Sequence, residues 1–166
     1  MPSRIEKPQL TTLRIFIVDD SPSDRSTYTR WIQRTAPFRL DIQEMETGAQ
    51  ALEACRVSPP HCLLLDYHLP DMTGLEFLEK VRGPHSQSKT PIIFLTGYGN
   101  EELAAHSIKL GAQEYFNKNT LSEKFLWHHI EEAIEQFSSI HRILALERQS
   151  SIILQSSSDG ILVVGN

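Results

Sequence analysis

Three runs of nearly uninterrupted apolar residues narrow most what this chain can fold into: "LRIFIV" (Leu13 to Val18), "CLLLD" (Cys62 to Asp66) and "PIIFLT" (Pro91 to Thr96). Each is too short for a helix of its own and rich in branched side chains, so each reads as a strand buried on both faces. Two weaker strands join them. "LDIQEM" (Leu40 to Met45) alternates apolar and polar residues, as a half-exposed strand does, and "EYFNK" (Glu114 to Lys118) is short. Helical stretches lie between. Ser21 and Pro22 open the first, with Tyr28, Trp31 and Ile32 on one face. Gly48 to Cys55, Gly74 to Val81 and Glu101 to Leu110 supply three more, the last closed by Gly111. A long helix begins near Leu121. Strand and helix thus alternate five times, which predicts an α/β fold: a doubly wound, five-stranded parallel sheet covered on both faces.

Length and composition agree. The chain has 166 residues, enough for one domain and an appendage. Its 40% hydrophobic and 22% charged content is that of a globular protein in water. A net charge of -5 without a basic stripe argues against a nucleic-acid surface. No apolar run approaches the roughly 18 residues that span a bilayer. "MPSRIEKPQL" lacks the apolar core of a secretory signal and reads as a polar lead-in over 1–12. A cytoplasmic protein is expected, with Cys55 and Cys62 as reduced thiols.

Ligands of open parallel sheets bind beyond the carboxyl ends of the strands. The first strand delivers Asp19 and Asp20 there, the third Asp66, the fourth Thr96 and the fifth Lys118. The second brings only Glu44 and Glu46 nearby. Three convergent carboxylates need a compensating cation. Oxygen ligands without a Cys or His cluster favour a hard ion, and Mg²⁺ suits phosphate chemistry. With Lys118 it would ready the site for a phosphoryl group. Asp66 stands alone at the central strand end and is assigned as the nucleophile; the adjacent Asp19 and Asp20 are assigned to the metal. Lys118 and Thr96 would stabilise charge on the transferring oxygens. Singly, each residue has an ordinary explanation as a turn residue, helix cap or solvated charge. Their joint placement at four strand ends does not.

These motifs, "IFIVDDSPSDR", "LLLDYHLPDMTGLEFL", "PIIFLTGYG" and "GAQEYFNK", resemble the receiver domain of bacterial two-component response regulators over roughly Leu13 to Ile134. The resemblance implies a flavodoxin-like receiver fold that takes a phosphoryl group from a sensor histidine kinase or phosphotransfer protein onto Asp66. It implies Mg²⁺ held directly by Asp20, Asp66 and the backbone carbonyl of His68, with Asp19 acting mostly through water. Thr96 and Tyr115 match the family's switch pair. His68 and Tyr98 match the positions that tune dephosphorylation, and neither is an acid or amide that would orient water. The family's proline after the lysine is here Asn119, so a trans peptide and an altered loop are expected.

Two other functions fit less well. A Mg²⁺-dependent phosphohydrolase with an aspartyl nucleophile would need an acid two residues after Asp66, where His68 stands. A non-phosphorylatable pseudo-receiver would not need Asp20, Asp66, Thr96 and Lys118 intact. The domain is therefore expected to act only on its own phosphorylation, any enzyme lying in an output module.

Beyond the receiver (13–134) the chain continues. Ile130, Ala133, Phe137, Ile140 and Leu144 follow 3-4-3-4 spacing, a coiled-coil seam that weakens at Glu147 and Ser151. A signalling helix over 135–155 and a homodimer are expected, the alternative being a single amphipathic helix that folds back on its own domain. "SSSDGILVVGN" (156–166) resembles the start of a PAS domain, with an Asp-Gly turn leading into a strand.

Overall fold

The computed structural model describes residues 12–83, 90–98 and 101–161. Five strands and five helices alternate: β1 (Leu13–Val18), α1 (Pro22–Thr35), β2 (Leu40–Met45), α2 (Gly48–Val57), β3 (Cys62–Asp66), α3 (Gly74–Arg82), β4 (Ile92–Thr96), α4 (Glu101–Lys109), β5 (Glu114–Asn117) and α5 (Glu123–Ile161). The strands form one parallel sheet in the order β2-β1-β3-β4-β5. The order reverses direction between β1 and β3, so a crevice opens beyond their carboxyl ends.

Alternation within each strand explains why the central strands are apolar throughout. Ile15, Ile17, Cys62, Leu64, Ile93 and Leu95 face Tyr28 and Ile32 of α1 and Leu126, Ile130 and Ala133 of α5. Phe16, Val18, Leu63, Leu65, Ile92 and Phe94 face Ala51 of α2 and Phe77, Leu78 and Val81 of α3. A strand sandwiched between two helical layers has no solvated face to make polar. β2, at the edge, is only half-buried, as its alternation predicts.

The helix starts are fixed by local chemistry. Ser21 caps α1, with Pro22 in its first turn. Thr47 with Gln50 and Thr73 with Glu76 form reciprocal capping boxes on α2 and α3. Gly111 takes φ 103 after α4, a backbone conformation that costs other residues a Cβ clash. Gly74 is required for a different reason. A Cβ there would lie 2.3 Å from the ring of Phe94, which is fully buried. Gly74→Ala is therefore expected to lower stability by about 1–3 kcal/mol through overpacking, read as a lower urea midpoint at unchanged slope.

The chain divides into two compact units, Met1–Ile134 and Glu135–Asn166. The first contains the sheet. There Ile130 and Ala133 are 0% and 1% exposed within the domain's own core. These two residues of the expected seam are thus occupied by the sheet, because the 3-4 spacing that suits a coiled coil equally suits packing on a sheet. In the second unit Ile143 and Leu146 are exposed. The side chains of Ile140 and Leu144 lie outside the described residues. At the far end, Asp159 and Gly160 are helical, where the sequence predicts a turn. A helix satisfies its own backbone, whereas a strand opened by that turn would need a neighbour to pair with. The lead-in up to residue 11 and the strand expected over 162–166 lie outside the described residues.

Candidate functional site

The crevice gathers the strand-end residues as their positions imply. The carboxylate oxygens of Asp19, Asp20 and Asp66 lie within 4.8 Å of one another. Asp19 and Asp66 are buried and Asp20 is exposed. Opposite them the Lys118 ammonium reaches Asp19 Oδ2 at 2.6 Å and Asp66 Oδ2 at 3.4 Å. Asp19 also accepts from the Ser21 N–H at 2.9 Å, and the Arg25 guanidinium donates to its carbonyl at 2.6 Å. The cleft above them, about 510 Å³, has Asp20, Asp66, Lys118, His68 and Tyr98 in its lining.

Burial sets the charge state. Desolvation first, and then the neighbouring Asp19 charge, push the Asp66 carboxyl up to about 6 against the pull of Lys118. Asp19 is likewise raised, chiefly by burial, although Lys118 and the Ser21 amide oppose it. Burial works against the Lys118 charge too, but its bonds to Asp19 and Asp24 and the charge of Asp66 outweigh that, so its ammonium is held more firmly than usual.

The remaining predicted residues occupy distinct places. Thr96 is fully buried, and its hydroxyl is taken up by its own loop: it donates to the Tyr98 carbonyl at 3.2 Å and accepts from the Tyr98 N–H at 3.3 Å. The Tyr115 hydroxyl is also buried, without a well-aligned partner. Burial raises its phenol and the nearby Thr96 hydroxyl draws it down. The Thr96 and Tyr115 hydroxyls thus both lie inward, near each other. The His68 N–H points to Asp66 Oδ1 at a long 3.4 Å, while its exposed ring meets the edge of Tyr67 at 4.8 Å. Tyr98 is 87% exposed at the rim.

The loop after Lys118 departs from a proline-containing one as expected. No peptide among the described residues is cis. Lys118–Thr120 form a single 3-10 turn, in which the Asn119 N–H donates to Asn117 Oδ1 at 2.9 Å. A proline would have no N–H to offer.

Two residues that sequence reasoning left aside enter the site or its frame. Asp24, in the first turn of α1, bonds Lys118 Nζ at 2.9 Å. Nothing local marks it, because Asp20 precedes α1 and helical spacing cannot be counted from it. Asp71, in the loop after Asp66, accepts from the Gly48 and Ala49 N–H groups at 2.8 Å each. It caps α2 from a distance and ties that loop to the sheet's other flank. Glu44, by contrast, is used outside the site, accepting from Thr29 at 2.6 Å and pairing with Arg25 at 3.5 Å.

A family model described as response regulator receiver domain matches residues 15–131. The transcriptional regulatory protein YdfI of Bacillus subtilis is 34% identical over 121 residues, 73% of this chain and 54% of YdfI. The chain spans about half the length, or less, of the curated relatives it matches. Among solved structures, the signal receiver domain of a LuxO repressor protein from Vibrio parahaemolyticus superposes with a TM-score of 0.71 at 26% identity, covering 80% of this chain and 97% of that one. The beryllofluoride-activated NtrC4 receiver domain dimer does so with a TM-score of 0.65 at 26% identity, covering 75% and 98%. With sheet order, strand-end chemistry and family model in agreement, this chain belongs to the response regulator receiver domain family.

Proposed function

We propose that this chain is a phosphorelay receiver whose phosphoacceptor is Asp66. The observation that carries the reading is the bridge of Lys118 between Asp19 and Asp66, with Asp20 facing the same point. A carboxylate raised to about 6 is still mostly ionised at neutral pH and hence nucleophilic. An oxygen of Asp66 attacks phosphorus; the P–N bond of the donor phosphohistidine breaks, and the imidazole nitrogen leaves with the bonding pair. Lys118 faces the oxygens on which charge gathers. Thr96, freed from Tyr98, would donate to the phosphoryl group, with Tyr115, whose hydroxyl is already buried beside it, as the second member of the switch pair. The donor is a sensor histidine kinase or phosphotransfer protein, met in the cytoplasm.

The acidic cluster fits Mg²⁺. Its donors are all oxygen, one side is open through Asp20, and even with Lys118 present Asp19 and Asp66 resist ionisation. Asp19, Asp20, Asp66 and the His68 carbonyl would hold the ion, which supplies charge neutralisation between carboxylates and phosphoryl group.

Incubation with acetyl phosphate and Mg²⁺ is expected to add one phosphate, seen by intact mass, and none to Asp66→Asn. Label on that variant would sink the assignment. Neither His68 nor Tyr98 is a base placed to activate water, so phosphate should be lost slowly, and faster in Tyr98→Glu or His68→Asn. Equal lifetimes in all three chains would remove these side chains from the account.

The signal leaves through the helix over 135–155, paired with that of a second copy to switch an output module. Ile143, 56% exposed and next to the seam in the heptad, offers apolar surface to a partner beyond the sheet-bound part of α5, whereas Leu146, 59% exposed, lies off the seam. Sedimentation should give a micromolar dimer for the whole chain and a monomer for a truncation ending at Gln136. A monomeric whole chain at high micromolar concentration, with and without phosphate, counts against it.

A further inference from the structure

An ammonium has three N–H donors, and around Lys118 stand three carboxylates to take them: Asp19 at 2.6 Å, Asp24 at 2.9 Å and Asp66 at 3.4 Å. The nucleophile has the longest contact. Asp24 comes from the first turn of α1, where an acid ordinarily serves the helix terminus. That terminus already has a cap, since Ser21 Oγ accepts from the Asp24 N–H at 3.3 Å. The Asp24 side chain instead crosses 94 residues of sequence to the lysine.

We propose that Asp24 is a positioning residue that restrains phosphorylation by drawing Lys118 toward the α1 side of the cleft, which leaves its contact to Asp66 the longest of the three. The proposal rests on Asp66 being the phosphoacceptor. A phosphoryl group on Asp66 needs a close N–H of Lys118, and the N–H now nearest Asp66 has the longest contact of the three, so a closer approach requires another partner to yield. Asp19, with its side chain 2% exposed, has no water to turn to. Asp24, 37% exposed, does, and it is the partner that yields. Until then its charge adds to those of Asp19, Asp20 and Asp66 and repels an anionic donor. Removing that charge shortens the path of Lys118 to the phosphoryl oxygens and weakens the repulsion, and both effects speed transfer.

The test uses the whole chain, acetyl phosphate and Mg²⁺, with phosphate on Asp66 followed by mass against time. Asp24→Asn is expected to label about three- to tenfold faster than the parent, and Asp24→Ser, which keeps a residue suited to a helix start, likewise. Asp24→Glu retains the charge and should stay within about twofold. In a Lys118→Met background, Asp24→Asn should accelerate labelling less than it does in the parent, since only the weakened repulsion remains. A helix-stability role would not produce that dependence on the lysine. The proposal falls if Asp24→Asn and Asp24→Ser label no faster than the parent, or if Asp24→Asn accelerates labelling equally without Lys118. A parent that takes no label, or an Asp66→Asn chain that does, defeats the phosphoacceptor reading itself, and is told apart by that control.

Discussion

Replacing Lys118 with methionine is expected to lower the unfolding free energy by about 3 kcal/mol near neutral pH, in chelator. Methionine matches the length of the lysine stem, so little packing is lost. What is lost is the cation that compensates Asp19 and Asp66, whose side chains are 2% and 7% exposed. Removing one member of a buried ionic cluster costs more than the cluster contributes, because the remaining charges stay desolvated. The pH dependence follows from the sign of the Lys118 shift. Its folded value is raised, so its stabilisation is present below the ordinary lysine range and is lost only as pH climbs through the folded value. Parent and variant should therefore differ throughout the neutral range and converge as the medium becomes acid enough to protonate the carboxylates. Urea midpoints at several pH values measure this. A loss below about 1 kcal/mol at neutral pH would mean that the carboxylates find other compensation.

Asp66→Asn should move stability the other way, by a gain of about 1–3 kcal/mol at neutral pH without divalent ions. The folded Asp66 holds its proton up to about 6, against 3.8 for an ordinary aspartate. Between these values the folded state binds more protons than the unfolded one, so stability falls as pH rises through that window and levels off above it. Asparagine keeps the shape and removes the charge. Its advantage should vanish toward the acid end of the window, where Asp66 is already neutral. Added Mg²⁺ should narrow the gap at neutral pH, because binding to the parent cluster stabilises the folded state by mass action. Thermal melts of both chains, with and without Mg²⁺, test these expectations. A variant less stable than the parent in chelator would show that Asp66 contributes more as a hydrogen-bond acceptor, to His68 and Lys118, than its burial costs.

The sequence by itself determined the strand and helix order, the doubly wound sheet and the residues at its carboxyl edge. Each of these is written locally. Apolar runs such as Cys62–Leu65 mark buried strands, Thr47 and Thr73 mark helix starts, and a parallel sheet brings strand ends together wherever they lie in the chain. Local pattern left the choice open where two environments share a period. The spacing of Ile130 and Ala133 fits a partner helix or a sheet, and only packing against β1, β3 and β4 decided for the sheet. It was silent where a side chain looks across the fold. Asp71 meets α2 over a separation of 23 residues, and Asp24 meets Lys118 over 94. Which carboxylates share the three N–H groups of one lysine depends on how α1 lies against the end of β5. That placement is set by the whole core, and no pattern around Asp24 or Lys118 encodes it.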